Sequence, residues 1–222
     1  MQPEEMITKG EEPSDTNKKI ARGQRLQNLK DKTSFLSTVL LFLLAPAIAL
    51  GVTAFLYQSY EVDGESMETT LQNHDRLIVD KTSRSWSKVT KHQFVPHRGS
   101  IIIFNQQGLI DANGNEEKQL IKRVIGLPGE RVVIKDDSIT IFNTQHPEGF
   151  NPDVTTGYHI TATKTAGYID TVIGNNQIYV CGDNRGNSLD SRSFGPIRTD
   201  QIVGKLSIRI LPIDKVEKFL DY

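Results

Sequence analysis

From Phe35 to Tyr57 the chain runs 23 residues without a charged side chain, enough for the about 20 helical residues that cross a hydrocarbon core. The pattern predicts a spanning helix over 35–57, and Pro46 and Gly51 do not oppose it, because membrane helices tolerate both. Lys18, Lys19, Arg22, Arg25, Lys30 and Lys32 precede the span, whereas Glu61, Asp63, Glu65 and Glu68 follow it, with no basic residue before Arg76. This asymmetry predicts a cytoplasmic tail over 1–34 and an extracytoplasmic domain over 58–222. The competing reading is a cleavable leader, since Ala45-Pro46-Ala47 and Ala47-Ile48-Ala49 imitate a small-residue cleavage site. Those alanines fall inside the run, however, and the run is longer than the roughly 7–15 residues of such a leader. The first 17 residues are polar and acidic and read as a disordered tail.

Beyond the span, short β-type runs recur: Arg76–Val79, Ser100–Phe104, Ile121–Ile125, Arg131–Ile134, Ser138–Phe142, Gln177–Cys181 and Gln201–Ile210. Turn-rich segments separate them, among them Asp111-Ala112-Asn113-Gly114-Asn115 and Ile173-Gly174-Asn175-Asn176. The only helical run expected after the span is Ile213–Leu220. The predicted fold class is therefore mainly β, with antiparallel sheets packed on each other or closed into a barrel, behind one N-terminal transmembrane helix. Residues 143–174, with Pro147 and Pro152, read as an insertion. Ser83–His97 reads as a second loop, whose Trp86 is expected to pack against the domain.

A net charge of -1 argues against nucleic acid as a partner. Cys181 is the only cysteine, so no internal disulfide forms, and its apolar neighbours make it a small buried hydrophobe. His74, His92, His97, His146 and His159 are scattered without metal-ligand spacing, so neither a metal nor a cofactor is expected. Counting alone leaves a Ser/His/Asp site open, although no histidine stands in a motif.

The candidate chemistry starts at Ser66, in Val62-Asp63-Gly64-Glu65-Ser66-Met67, a few residues past the span. A serine hydroxyl needs a base, and a lysine serves only when neutral. Exposed lysines titrate near about 10.4, and desolvation lowers that by up to several units. Lys122, flanked by Ile121, Val124 and Ile125, is the candidate. A third segment, Gly182-Asp183-Asn184-Arg185-Gly186-Asn187-Ser188-Leu189-Asp190-Ser191-Arg192-Ser193-Phe194-Gly195, gathers more small and charged residues than a loop needs.

In this order the chain resembles the type I signal peptidases, in their Gram-positive form. The resemblance is carried by Ser66-Met67-x-x-Thr70-Leu71, Asp75-Arg76-x-x-Val79-x-Lys81, Arg98-Gly99, Lys122-Arg123-Val124-Ile125-Gly126-Leu127-Pro128-Gly129 and the Gly182–Gly195 segment. It implies a membrane-anchored serine endopeptidase that cuts exported preproteins after small residues of Ala-x-Ala type. Ser66 would be the nucleophile, Lys122 the general base and Ser188 the hydroxyl that orients the lysine. Gly64 stands where Gram-negative members place a serine that helps hold the oxyanion, and Arg123, Asp183, Asp190 and Arg192 match charged residues that brace the site. Val62, Met67, Leu71, Leu120 and Ile121 match or adjoin the substrate pockets.

The implied partners are signal-peptide-bearing preproteins and the lipid bilayer, with the chain acting as a single-pass monomer of the cell membrane. Three positions depart from the family pattern. Thr69 replaces a proline after the nucleophile, Ser100 an aspartate, and Gly186 a polar or acidic residue. A relative that binds exported substrates without cleaving them, or assists surface-structure assembly, is the alternative these departures leave open.

Overall fold

The structure is a computed structural model and describes residues 37–51, 56–90, 93–109, 114, 116–162 and 164–219. The expected tail over 1–34 lies outside the described residues, as do Phe35, Leu36 and residues 52–55 of the expected span and most of the 111–115 turn. Helix α1 covers residues 37–51, of which 37–50 belong to a unit separate from residues 51–222. Its apolar side chains are exposed, with Leu41, Phe42 and Leu50 about two-thirds or more exposed. Among the described residues no helix is long and apolar enough to cross a membrane.

In the second unit, strand β1 (Tyr57–Glu61) pairs antiparallel with β2 (Arg76–Asp80). Tyr57, assigned to the span by its hydropathy, therefore opens the β domain. Strands β3 (Ile101–Gln107) and β4 (Glu117–Gly126) form the next antiparallel pair. Strands β5 (Arg131–Lys135) and β6 (Ser138–Phe142) make a hairpin in which Val132, Ile134, Ile139 and Ile141 are buried. Its two-residue turn, Asp136-Asp137, has φ of 51° and 59°, the positive values that a type I′ hairpin requires at both positions.

Strands β7 (Ile169–Val172), β8 (Gln177–Cys181), β9 (Ile197–Arg198), β10 (Ile202–Leu211) and β11 (Glu217–Lys218) complete two sheets. The larger is ordered β1-β2-β10-β3-β4-β8-β9 with β11 on β10, and the smaller β6-β5-β7. All pairs are antiparallel, as expected. Val132, Ile134, Ile139 and Ile141 of the smaller sheet pack with Ile125, Tyr158, Tyr179 and Cys181. A second cluster, with Ile102, Phe104, Val124 and Val180, lies within the larger sheet.

The elements differ from expectation in four places. Thr82–Thr90 forms helix α2 inside the segment read as a loop; its Trp86 side chain lies outside what is described. The 143–174 segment returns to the fold as β7, which pairs with β5, and also holds the short helix α3 (Pro152–Thr155). Ile213–Lys215 is a 3-10 turn followed by β11 in place of the helix expected to Leu220, a residue outside the described ones. A one-turn helix, α4 (Ser191–Phe194), closes the Gly182–Gly195 segment, with Asp190 at its N-cap.

Candidate active site

Val62 and Asp75 extend the β1–β2 ladder by one step (Val62 N to Asp75 O, 2.9 Å) before the chain leaves it. Gly64 makes the exit at φ 100°, a region that costs a side-chain-bearing residue energy, and donates its N–H to Asn73 Oδ1 at 3.0 Å. The next residues curl into a turn closed by Leu71 N to Met67 O at 2.9 Å, and the Glu68–Thr69 peptide bond within it is cis. The spacing of four that closes this turn sends Met67 and Leu71 inward together, where they are fully buried with Leu77, Ile101 and Leu206. Ser66 stays at the surface of that small core. Asn184 pins it from the third segment, with N to Ser66 O at 3.1 Å and Nδ2 to Glu65 O at 3.2 Å.

Lys122 arrives from β4. Its neighbours on β3 are registered as Ile101 opposite Arg123 and Ile102 opposite Lys122. On the other side β8 begins to pair only at Arg123. Lys122 therefore stands where β4 changes from one strand neighbour to two, and the edge of residues 117–122 faces a cleft. Lys122 Nζ is 2.6 Å from Ser66 Oγ and donates to Ile121 O at 2.8 Å. The side chain is buried, and burial pulls its pKa down to about 8, against the opposing pull of the Asp190 and Asp183 charges. A lysine so placed loses its proton within reach of ordinary pH.

The cleft has a volume of about 530 Å³. It is lined chiefly by Tyr60–Ser66 and Lys118–Lys122, with Asn187 and Leu189 from the third segment. Of the residues expected to line it, Val62, Leu120 and Ile121 do so, and Gly64 also borders it. Met67 and Leu71 do not, because the turn buries them beneath Ser66.

The charged residues form paired supports. Arg123 donates to Asp183 twice (Nε to Oδ1 2.8 Å, Nη2 to Oδ2 2.5 Å) and to Gly99 O at 2.7 Å, with Tyr158 packed on its guanidinium at 4.4 Å. Asp183 also accepts from Thr70 Oγ1 at 2.6 Å, tying the pair to the turn that follows Ser66. Asp190 accepts from Arg192 Nε (2.9 Å) and Nη2 (2.8 Å) and from Gly182 N (3.0 Å). Burial alone would raise the Asp190 carboxyl, but these partners outweigh it and hold the group below its usual range. Ser188 Oγ is buried and adds to the donors that lower the Asp190 pKa. It sits so close over Gly182 that a Cβ there would overlap it.

Several supporting residues were not assigned a role from sequence. Arg185, fully buried, donates Nη2 to Asp153 Oδ1 at 2.6 Å and Nη1 to Thr165 Oγ1 at 2.7 Å, while Tyr158 donates to the same Asp153 oxygen at 2.7 Å. Asp153, Tyr158 and Thr165 lie in the expected insertion, so that segment is wired into the site. Arg98 reaches Glu130 at 2.6 Å behind the Lys122 strand. The available signal was only the arginine inside the third segment, since a buried cation requires a carboxylate that spacing cannot identify. Cys181 is fully buried, and burial pushes its thiol pKa up. Among the described residues no His, Cys, Asp and Glu side chains group as a metal site.

An antiparallel β fold with a serine hydroxyl against a buried, easily deprotonated amine on the floor of a cleft defines the serine–lysine class of hydrolase site. Residues 35–211 match the family described as signal peptidase, peptidase S26. Signal peptidase I V of Bacillus subtilis (strain 168) is 36% identical over 72% of this chain and 89% of its own length. Signal peptidase IB of Staphylococcus aureus (strain COL) is 31% identical over 83% of this chain and 93% of its own. A probable signal peptidase I-2 of Synechocystis sp. is 30% identical over 80% and 73%. The chain belongs to the signal peptidase family, peptidase S26.

Proposed function

We propose that the chain is a membrane-anchored serine endopeptidase that removes signal peptides from exported preproteins, cutting after small residues with Ser66 as nucleophile and Lys122 as general base. The observation that carries this is the 2.6 Å approach of Lys122 Nζ to Ser66 Oγ by a lysine whose pKa burial lowers to about 8. Neutral Lys122 takes the hydroxyl proton as Ser66 Oγ adds to the substrate carbonyl carbon. The tetrahedral oxyanion accepts from the Ser66 N–H, and Gly64 contributes no side chain to it. Collapse breaks the C–N bond, the leaving amine takes the proton from Lys122, and an ester to Ser66 remains. Water, giving a proton to Lys122, then adds to the ester carbonyl; collapse breaks the C–Oγ bond, Lys122 returns the proton to Ser66 Oγ, and the acid product leaves.

The substrate binds extended along the open edge of β4, whose residues 117–122 have β3 on one side only. Val62, Leu120 and Ile121 narrow the cleft toward small side chains. Ser188 Oγ, a buried hydroxyl beside the Asp190 carboxylate, is the group that turns toward Lys122 and orients it. Arg123, Asp183, Asp190 and Arg192 hold the segments carrying these groups. The 35–57 span, oriented by its flanking charges, anchors the chain with residues 1–34 cytoplasmic and 58–222 outside, and the chain acts as a monomer. A buried lysine aimed at a serine serves no packing purpose, which supports the enzyme over the binding-only alternative.

The test is cleavage of a preprotein with an Ala-x-Ala site by the detergent-solubilised full chain beside Ser66→Ala and Lys122→Ala. Cleavage by the wild type that is lost in both variants is the expected result. Equal cleavage by Ser66→Ala would remove the nucleophile assignment.

A further inference from the structure

Thr70, four residues after the nucleophile, is held from two directions. Its hydroxyl belongs to the Arg123–Asp183 pair, described above. Its carbonyl accepts from Arg209 Nη1 at 2.8 Å, and Arg209 comes from the far end of β10, on the other side of the turn. The same Nη1 donates to Asp75 Oδ2 at 3.1 Å, and that oxygen also accepts from Gln72 N at 2.9 Å. Arg209 Nε donates to Lys215 O at 2.7 Å and Nη2 to Glu217 Oε2 at 2.7 Å. Lys215 Nζ returns to the turn at Gln72 Oε1, 2.7 Å away. Arg209 and Asp75 are both buried.

β10 shifts register against β2 between Arg209 and Leu211, the kind of irregularity that re-aims a side chain. A planar guanidinium is the one side chain able to satisfy two carbonyls and two carboxylates from one point. Lys215 and Glu217 lie beyond residue 211, where the family match ends.

We propose that Arg209 is a positioning residue for Ser66 and that residues 212–219 are the brace that locks it, so that the segment after β10 fixes the turn carrying the nucleophile. This rests on the reading of Ser66 as nucleophile. Arg209 lies outside the lining of the cleft, so its effect falls on the rate of attack and leaves substrate binding unchanged. Small displacements of a nucleophile are costly, since about 1 Å can remove about 100-fold in rate.

The experiment compares kcat and KM for the same preprotein in the full-length wild type, Arg209→Lys, Glu217→Gln and Ser66→Ala, each below its melting temperature, across pH. Arg209→Lys keeps a positive charge for Asp75 but cannot bridge the two carbonyls. It is expected to lower kcat by about tenfold or more, with KM within about twofold and the pH midpoint unmoved. Glu217→Gln, an exposed and conservative change, is expected to lower kcat in the same direction by less.

Wild-type kcat in folded Arg209→Lys, or a lower melting temperature with kcat intact, would overturn the proposal and leave Arg209 a structural residue. A shifted pH midpoint would also overturn it, because Arg209 would then act through Lys122. Ser66→Ala separates the two readings: if it still cleaves, the nucleophile assignment fails, whereas if it is inert beside a fully active Arg209→Lys, only the brace fails.

Discussion

Arg123 grips Asp183 through two hydrogen bonds, at 2.8 and 2.5 Å, with both side chains buried. The arginine adjoins Lys122 in sequence, and the aspartate adjoins Asn184, which holds Ser66 O. One ion pair thus fixes both members of the dyad to a common frame. Asp183→Asn leaves a buried guanidinium without its counter-charge and is expected to cost about 3–5 kcal/mol, read as a lowered urea midpoint at unchanged slope. A loss below about 1 kcal/mol, the value of an exposed pair, would show that the pair is not desolvated in solution.

Gly182 carries a packing constraint. A Cβ there would overlap Ser188 Oγ, Ser188 Cβ and the Ser66 carbonyl. Overpacking of this kind costs about 1–3 kcal/mol, and relief requires either Ser66 or Ser188 to move. Gly182→Ala is therefore expected to lower kcat by more than about tenfold in a chain that still folds. A variant with wild-type kcat would mean that the contact relaxes without moving the dyad.

Ser188→Ala removes a buried hydroxyl that helps hold the Asp190 carboxylate in its charged form. The variant is expected to lose about 1–3 kcal/mol, read as a lowered urea midpoint, and its kcat is expected to fall by about tenfold or more, since Ser188 is the group proposed to orient Lys122. Wild-type kcat in folded Ser188→Ala would remove that role from Ser188.

The sign of the Lys122 shift sets a second expectation. Its folded pKa of about 8 lies below the 10.5 of a free lysine, so between those values the unfolded chain binds more protons. This group therefore destabilises the fold below about pH 8, by about 3 kcal/mol, and the penalty fades as pH rises toward 10.5. Lys122→Met is expected to be more stable than the wild type in urea at pH 7, with the difference largely gone at pH 10. A variant less stable at pH 7, or a pH-independent difference, would contradict it.

Much of this fold was legible because alternating apolar residues mark strands: all seven predicted runs fall on strands β2, β3, β4, β5, β6, β8 and β10, although β3 runs three residues beyond the predicted Phe104 and β4 starts four residues before the predicted Ile121. The elements missed lack that signal. Ile169-Asp170-Thr171-Val172 is short and half polar, and takes its strand character from pairing with β5. Thr82–Thr90 has two threonines and no acidic residue in its first turn, so nothing local announced α2. Tyr57 was lost to the span because hydropathy does not distinguish an apolar strand start from the end of an apolar helix.

At the site, Ser66, Lys122 and the third segment were legible from motif order. Where their neighbours point was not: Met67 and Leu71 read as pocket residues until the turn closing Leu71 N on Met67 O put them beneath the serine. Arg185 with Asp153, and Arg209 with Thr70, join residues far apart in sequence, and no spacing rule reaches that far.

If neutral Lys122 is the base for Ser66, the single-turnover cleavage rate of the wild type from pH 6 to pH 10 follows the deprotonation of that lysine. With a midpoint near 8, the neutral fraction rises from about one tenth at pH 7 to about nine tenths at pH 9, so the rate is expected to climb about tenfold over that interval and then level off. A rate flat across the whole range, with chemistry limiting, would contradict the assignment of Lys122 as the base.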